Sequence, residues 1–482
     1  MYKKLVQQTF IYGLATVIPR ILNYFLVPLH TSGVMTTAQY GEISNVFAYF
    51  VLLNVILSYG METAFFRFFH KEKQKEEVIN TSAWSLMGTS FLFLLIGYLF
   101  QHQLARLADI PLRVVQFALW ILVLDALVVI PFAWLRAKER PIRYALIKTI
   151  SVGINLVLNY VFLLYLAQWS SLSSFIANFY QPGFQVEYVF LANLIASLVT
   201  LLVLLPFYFK LKFHFDKALW KRMMHYSIPI LIAGLAYAIN EASDRMMMLY
   251  LLPKEVAKSQ LGIYAACYKL AIFMTLFTMA FRLGIEPFFF KHAQHKNAKK
   301  TYAEITKYFT IFGALILVGV MVFIDILKRI LITDQVFWEA MDIVPLILLA
   351  NLFLGIYYNL SVWYKVTDRT KYGSYISIIA AVITLVANLW LIPLIGYIGA
   401  AIGTLAAYAS MMFFSYFWGQ KYYRIPYELK KICGYLGLAM FFSALSFYGF
   451  RENYLVGSLL LLIFMSIIYG AEKKQLKKLI KN

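Results

Sequence analysis

The sequence alternates between long apolar runs and short polar segments over its whole length. A helix needs roughly 17–25 mostly apolar residues to cross the hydrocarbon core of a bilayer, and about fourteen runs meet this requirement. The predicted spans are 8–30, 41–66, 81–101, 114–135, 144–167, 188–209, 223–252, 260–282, 302–323, 340–364, 373–393, 399–418, 431–449 and 455–471. The pattern therefore predicts an all-α polytopic membrane protein.

Composition agrees with this prediction and excludes a soluble protein. The 482 residues are 62% hydrophobic and only 14% charged, whereas about 25% charged residues are typical of soluble domains. Both cysteines, Cys267 and Cys433, lie in apolar runs, so we expect free thiols and not a disulfide. The N-terminal segment enters the first span without a small-residue cleavage site, which indicates a retained helix and not a signal peptide.

The basic residues are distributed unevenly between alternate loops. If the N-terminus is cytoplasmic, the inner segments carry about 32 Lys and Arg residues and the outer loops about 7. This bias predicts that both termini are cytoplasmic. We interpret the basic runs, and with them the formal net charge of +21, as topology determinants and not as sites for nucleic acid or lipid headgroups.

The chain repeats itself. Residues 134–140 (Trp-Leu-Arg-Ala-Lys-Glu-Arg) match 363–369 (Trp-Tyr-Lys-Val-Thr-Asp-Arg), and Asn159 matches Asn388, at a constant shift of 229 positions. Two further pairs match at slightly smaller shifts, namely 40–43 with 261–264 and 62–67 with 286–291. Each half contains six spans, an even number, so both halves insert in the same orientation as a parallel repeat. The predicted domains are an N-lobe at 1–216, a C-lobe at 217–424, and two accessory helices with a basic cytoplasmic tail at 425–482.

The seventh span carries charge where the chain is otherwise apolar. Glu241, Asp244 and Arg245 lie between Tyr226 and Leu252. Charged groups at bilayer depth persist mainly where they face a bundle interior or a wet cavity and have partners. The same arc of this helix contains Tyr237, Asn240 and Met248. We therefore expect this stripe to face a cavity.

The first span offers a partner for the stripe. Arg20 corresponds to Glu241 at a shift of 221, and it shares a polar arc with Asn23. We hypothesise that Arg20 pairs with Glu241 or Asp244 across a central cleft when the cleft opens inward. The alternative is that Glu241 and Arg245, four residues apart, neutralise each other within one helix.

Three more charges lie within predicted spans. Lys269 is about nine residues inside the eighth span, which favours a cavity-lining role over a structural ion pair with Glu241 or Asp125. Asp125 is a buried acidic group in the fourth span. Lys148 lies near the start of the fifth span, so we expect it to extend to the cytoplasmic headgroups.

Sequence motifs for catalysis were not found. The seven histidines have no metal-ligand spacing, and neither a nucleotide-binding loop nor a nucleophile elbow is present. We therefore predict a transporter without catalytic residues, metal or cofactor, and we leave Na⁺ or H⁺ as a candidate coupling ion.

Several segments together resemble a known family. They are 12–29, 40–41, 59–63, 244–249, 262–269 and 281–288. In order and spacing they are similar to the oligosaccharide flippases (Wzx-like polysaccharide biosynthesis proteins) of the multidrug/oligosaccharidyl-lipid/polysaccharide exporter superfamily. The resemblance implies two six-helix lobes around a central cavity, with alternating access. It also implies a polyprenyl-pyrophosphate-linked oligosaccharide as cargo, moved from the cytoplasmic to the outer leaflet of a bacterial inner membrane for surface polysaccharide such as O-antigen.

The resemblance also assigns roles to the polar residues. The expected headgroup-binding residues are Arg20, Asn23, Asn240, Arg245 and Lys269. The gate or ion-coupling candidates are Glu241, Asp244 and Asp125. The expected partners are the lipid-linked oligosaccharide, membrane lipids and a polysaccharide polymerase complex, with no nucleic acid, and we expect a monomer. In the lipid II flippase, a relative, the two extra helices form a groove for the lipid tail, and residues 431–471 are the candidates for that role here.

Two alternatives remain at this point. A multidrug or toxin extruder coupled to Na⁺ or H⁺ would use Asp125, Glu241 and Asp244 to bind the ion and a cationic drug, and the sign of the cavity charge discriminates it from a flippase. A membrane-embedded sugar polymerase or ligase would be an enzyme with sizeable outer loops. The largest outer loop, at 168–187, argues against that enzyme because it has only about 20 residues.

Overall fold

A computed structural model describes residues 13, 17–178, 180–293 and 295–481 of the chain. The regular secondary structure of these residues is helical, and no strand is found in them. Thirteen helices are long and apolar enough to cross a membrane, and they match the second to fourteenth predicted spans. Of the first span, residues 17–24 are helical, whereas 8–12 and 14–16 lie outside the described residues. The prediction of an all-α protein with about fourteen spans is therefore confirmed.

The chain forms two compact units, Met1–Ala265 and Ala266–Asn482. The helices of the first unit are α1 (17–24), α2 (Leu26–His30), α3 (Thr37–Ser58), α4 (Met61–Lys71), α5 (Lys75–Leu99), α6 (Gln101–Ala108), α7 (Leu112–Leu127), α8 (Val129–Ala137), α9 (Pro141–Tyr160) with a π-helical turn at Val161–Tyr165, α10 (Leu166–Ser170), α11 (Ser174–Ala177), α12 (Gln185–Tyr208), α13 (Lys217–Leu251) and α14 (Lys254–Tyr268), whose last turn enters the second unit.

The second unit contains the remaining helices. They are the 3₁₀ turn Lys269–Ala271, α15 (Ile272–His292), α16 (Ala298–Val322), α17 (Ile324–Leu331), the 3₁₀ helix Gln335–Ala340, α18 (Ile343–Leu360), α19 (Val362–Val366), α20 (Lys371–Ile395), α21 (Tyr397–Tyr422), α22 (Leu429–Ala444) with a π-helical turn at Leu445–Gly449, and α23 (Tyr454–Lys481). This grouping reflects packing, so the lobe boundary after residue 216, which was inferred from the sequence repeat, stays a prediction.

The second predicted span is two helices and not one. Tyr59 and Gly60 separate α3 from α4, with φ of 33° and 72°. Gly60 adopts this left-handed backbone without steric cost, whereas Tyr59 is anchored by a hydrogen bond of 2.7 Å between its hydroxyl and that of Ser85. The chain therefore turns within what hydropathy alone reads as one continuous run.

Matched turns occur in the two units. Glu139 and Asp368, separated by the shift of 229, both have left-handed backbone with φ of 53° and 56°. The following residue closes each turn in the same way, since its N–H donates to a carbonyl five residues earlier, at 2.9 Å in the first unit and 2.8 Å in the second. An ion pair stands next to each turn: Arg136 with Glu62, and Lys365 with Glu286 at 2.6 Å. The sequence repeat thus corresponds to repeated local structure.

The accessory helices α22 and α23 pack on α16 within the second unit. Lys307 of α16 is fully buried, and its Nζ lies 2.7 Å from Glu428 Oε1 and 3.2 Å from Glu472 Oε2. Beyond the other end of α16, Arg451 Nε lies 3.3 Å from Asp325 Oδ1 on α17. These ion pairs hold the accessory pair to α16 at one end and to α17 at the other.

The cysteines are free thiols, as predicted. Cys267 is buried and Cys433 is exposed.

Candidate functional site

The charged stripe lies on α13, which has 35 residues. Asp216 caps its start, because the carboxylate accepts from the backbone N–H groups of Ala218 and Leu219 at 2.8 and 3.0 Å. On the stripe, Asn240 and Asp244 are buried, with exposed fractions of 4% and 2%. Glu241 and Arg245 are half-buried and Tyr237 is exposed, and the prediction that the stripe faces a cavity stays a prediction.

Asp244 has a partner that the sequence did not indicate. Its Oδ2 accepts a hydrogen bond of 2.6 Å from the hydroxyl of Tyr264 on α14, and its Oδ1 accepts from the backbone N–H of Arg245 at 2.8 Å. Hydrogen bonds to a buried carboxylate offset the cost of taking it out of water. The pairing of Asp244 with Arg20 across a cleft stays a prediction. The signals for Tyr264 in the sequence were its place in the repeat, at 261–264, and in a segment that carries the family resemblance.

Tyr24 on α1 interacts with charges on its own helix and on the stripe of α13. Its hydroxyl lies within electrostatic range of Arg245, Arg20 and Glu241. Asn23, the preceding residue, is exposed on the same helix, as is Arg20. The structure thus brings Arg20, Glu241 and Arg245 near one side chain, as expected if the first span faces the seventh. Their roles in binding and gating stay predictions.

Two predicted site residues lie elsewhere. Asp125 accepts a hydrogen bond of 2.9 Å from Ser197 on α12, and it interacts electrostatically with Lys148 on α9. Lys148 Nζ stands 4.8 Å from the centroid of the Phe132 ring, so it points into the helix bundle rather than extending to headgroups as expected. Lys269 begins the 3₁₀ turn of the second unit and is half-buried, and its place in a shared cavity stays a prediction.

Helices α3 and α14 make a close contact at the membrane face where both begin. A Cβ on Gly41 would lie 2.0 Å from the Lys258 carbonyl oxygen, and one on Gly262 would lie 1.9 Å from the Thr37 carbonyl oxygen. The hydroxyls of Thr37 and Ser259 are 2.7 Å apart. We call these residues the outer contact, since the predicted orientation puts them at the outer face. Only glycine permits so close an approach of two backbones.

Ion pairs surround the outer contact. Lys258 Nζ lies 2.8 Å from Glu42 Oε1 and 2.9 Å from Asp109 Oδ2. The hydroxyls of Tyr49 and Tyr250, at the end of α13, are 2.7 Å apart. The outer end of the first unit is therefore closed by polar pairs as well as by the glycine crossing.

Metal ligation has no support in the part of the chain that is described. Those residues contain no group of three or more His, Cys, Asp or Glu side chains able to hold a metal ion.

Comparisons with known proteins agree with this picture. The family model for polysaccharide biosynthesis protein matches residues 5–272, and the MatE model matches residues 229–390. A search of curated proteins returned no match.

Solved structures share the fold at low sequence identity. A lipid II flippase MurJ in an inward closed conformation superposes with a TM-score of 0.74 at 16% identity, covering 96% of this chain and 99% of the other. An inward-facing multidrug resistance MATE family transporter of the MOP superfamily gives 0.65 at 12% identity, with coverages of 89% and 96%. A MOP superfamily transporter from Pyrococcus furiosus Vc1, described as having a binding pocket of reverse polarity, gives 0.58 at 12% identity, with coverages of 87% and 95%.

These likenesses show the fold, and the match over residues 5–272 covers more than half of the chain. The protein is thus a multi-pass membrane protein with the fold of MOP superfamily transporters and flippases, and it belongs to the polysaccharide biosynthesis protein family.

Proposed function

We propose that this protein is a flippase for a lipid-linked oligosaccharide. The cargo is a glycan on a polyprenyl diphosphate, moved by alternating access from the cytoplasmic to the outer leaflet of a bacterial inner membrane, with both termini in the cytoplasm. The lipid tail stays in the bilayer while the diphosphate and the glycan pass through the protein. The product serves cell-surface polysaccharide assembly.

One observation carries the proposal: basic groups from two helices, α1 and α13, are within electrostatic range of one tyrosine. The charges that act on Tyr24 are two guanidinium groups, of Arg20 and Arg245, and one carboxylate, of Glu241. Guanidinium groups suit phosphate because they donate two parallel hydrogen bonds. The two guanidinium groups can bind a diphosphate in a way that they cannot bind a cationic drug. Asn23, Asn240 and Lys269 complete the proposed headgroup site.

The family match and the fold support the same cargo class. The matched family is described by polysaccharide biosynthesis, and a solved structure with this fold is a lipid II flippase. A lipid-linked precursor of polysaccharide is chemically similar to the cargo that this neighbour's name states. We propose no cofactor, and we leave Na⁺ or H⁺ as the coupling ion, with Asp244, Glu241 and Asp125 as the candidate carriers. A polymerase complex is the proposed partner of a monomeric flippase.

The test is transbilayer movement in vesicles. Purified protein is reconstituted with a fluorescent glycan on polyprenyl diphosphate, and a membrane-impermeant reductant added outside bleaches only the outer leaflet. With active protein the whole label becomes accessible, whereas protein-free vesicles retain the inner pool. Because a charge-assisted contact contributes about 1.5–3 kcal/mol, Arg20→Gln and Arg245→Gln are each expected to slow movement by at least about tenfold.

A matched control for these variants is Arg106→Gln. Arg106 lies on the short helix α6, and its guanidinium donates only to the His102 carbonyl oxygen, at 3.4 Å. This variant loses the same charge and is expected to move the lipid at the normal rate. Normal movement in Arg20→Gln and Arg245→Gln, or no movement with correctly inserted wild-type protein across several glycans, would refute the proposed function.

A coupled multidrug extruder is the second candidate, because the MatE model matches residues 229–390, a range that includes the charged stripe. In this case the acidic residues would bind the coupling ion, Na⁺ or H⁺, and a cationic drug. Efflux of a cationic dye that depends on a Na⁺ or H⁺ gradient and is lost in Asp244→Asn, without lipid movement, would decide for the extruder.

A further inference from the structure

A pocket of about 630 Å³ opens in the first unit, away from the charged stripe. Its walls come from the starts of α5 and α9 and from the ends of α8 and α12. Successive membrane helices alternate in direction, so these four ends lie at the same membrane face. The positive-inside rule places that face in the cytoplasm.

The rim of the pocket is strongly basic. Six cationic side chains contribute to it: Lys75, Lys138, Arg140, Arg143, Lys210 and Lys212. The rim contains one acidic residue, Glu76, whose Oε2 lies 2.9 Å from Lys212 Nζ. Among the described residues, the other five cations form no ion pair. The rim therefore has a formal excess of five positive charges, of which Lys75, Lys138 and Arg140 also lie over aromatic rings of the chain.

The floor of the pocket is apolar and continues onto the surface that faces the bilayer. Buried Leu204 and Phe207 form part of it. Leu146 and Val203 also line it, with exposed fractions of 55% and 54%. An apolar floor does not stabilise a hydrated anion, but it stabilises a hydrocarbon chain that is buried against it. The combination of an apolar groove with a cationic rim is complementary to an amphiphile with an anionic head.

We propose that this pocket binds a resident anionic phospholipid of the cytoplasmic leaflet. Its phosphate lies at the rim near Arg140 and Arg143, and an acyl chain follows Leu146 and Val203. Basic pockets between membrane helices on the cytoplasmic side are a general way to hold anionic lipid heads. The proposal concerns a site apart from the cargo site and does not depend on what the cargo is.

The proposal adds a second role to these basic runs, which the sequence alone predicts to be topology determinants. Topology requires only that Lys and Arg lie on one side of the membrane. It does not require that residues from three separate loops, 67–80, 136–143 and 210–222, converge on one apolar floor. That convergence is visible only in the folded chain.

The test is lipid binding by the full-length protein in detergent, with native mass spectrometry counting bound lipids during titration with phosphatidylglycerol or phosphatidylcholine. Arg140→Gln with Arg143→Gln removes rim charge. Val203→Trp keeps the charge and fills the floor. The control is Arg369→Gln with Lys371→Gln, which removes two charges from the second unit at the same membrane face, with Arg369 at the position equivalent to Arg140.

We expect wild-type protein to hold one phosphatidylglycerol in clear preference to phosphatidylcholine. The rim variant should bind about thirtyfold more weakly, since each basic residue near an anionic lipid contributes roughly fivefold. Val203→Trp should weaken binding by more than about tenfold, and the control by less than twofold.

Three results would overturn the proposal. The first is an equal loss in the control, which would mean general surface charge. The second is weaker phosphatidylglycerol binding in the rim variant but unchanged binding in a folded Val203→Trp protein. This result would mean that the floor holds no acyl chain. The third is equal binding of phosphatidylglycerol and phosphatidylcholine by the wild-type protein, which would mean that the rim does not select an anionic headgroup.

Discussion

Substituting alanine for Gly41 should force the outer contact apart. The added Cβ would lie 2.0 Å from the Lys258 carbonyl oxygen, which is backbone and has no rotamer to change. An ordinary contact of at least 3.4 Å requires one helix to move by about 1.4 Å. Forced overpacking of this kind costs about 1–3 kcal/mol. The same reasoning applies to Gly262, whose added Cβ would lie 1.9 Å from the Thr37 carbonyl oxygen.

The added Cβ destabilises the protein only while the outer contact is closed. If the protein alternates between a closed and an open outer face, Gly41→Ala therefore shifts the equilibrium towards the open state by roughly 5- to 150-fold. Cross-linking measures the shift. Thr37→Cys with Ser259→Cys places two thiols where hydroxyls are 2.7 Å apart, in a background in which Cys267 and Cys433 are replaced by serine or alanine. We expect rapid disulfide formation in this pair and a clear loss of its yield when Gly41→Ala is added.

The controls use a glycine in open space. A Cβ on Gly88 meets nothing within 4 Å, so Gly88→Ala should leave the cross-linking rate unchanged. A disulfide between residues 37 and 259 should also stop lipid movement, and reduction should restore it. Unchanged cross-linking in Gly41→Ala, in a protein that inserts correctly, would refute the reasoning that this crossing is a closure.

Three further predictions concern local contacts. Lys307→Met should leave the buried carboxylate of Glu472 with Lys431, 2.9 Å away, as its one cationic partner among the described residues and destabilise the protein by about 1.5–3 kcal/mol, and Glu472→Gln in the same chain should restore part of the loss. Tyr264→Phe removes a hydrogen bond from buried Asp244 and should cost about 1–3 kcal/mol. Hydrogen bonds from two lysines hold the pKa of Glu428 below its usual value, although burial opposes them. Glu428 therefore stabilises the fold above its unfolded pKa of about 4.3, and this contribution is lost as pH falls through the lower folded pKa.

Thermal unfolding in detergent measures all three effects. If the losses of stability in Lys307→Met and Glu472→Gln simply add in the double variant, the two residues are not coupled and the prediction is wrong. Equal stability of Tyr264→Phe and wild type would contradict the importance of its hydrogen bond. For Glu428→Gln, we expect a lower unfolding temperature than wild type at pH 7 and a smaller difference at pH 3.5, and a difference that grows in acid would reverse the predicted sign.

The sequence predicts the spans well and the contacts between them poorly, for a physical reason. Hydropathy reports which segments prefer lipid to water, so thirteen spans appear where predicted. It does not report which side chains meet across helices. The break at Tyr59 and Gly60, the bond from Tyr264 to Asp244 and the burial of Lys307 all depend on that packing. Lys307 lies early in a predicted span, where a lysine is expected to reach the headgroups, and only the fold shows that two carboxylates meet it.

Two groups of charged residues in the described part of the chain differ in a way that bears on the proposed cargo site. Lys307 is fully buried between the carboxylates of Glu428 and Glu472, and the side chain of Glu472 is only 1% exposed. Charges that are paired and enclosed in this way cannot bind a diphosphate. They hold α22 and α23 on α16. The charges near Tyr24 differ, because Arg20 is exposed and the guanidinium group of Arg245 is within range of the same side chain. An anionic headgroup is best bound by guanidinium groups that are still accessible, which is why we propose the headgroup site where α1 meets α13 and not on the accessory helices.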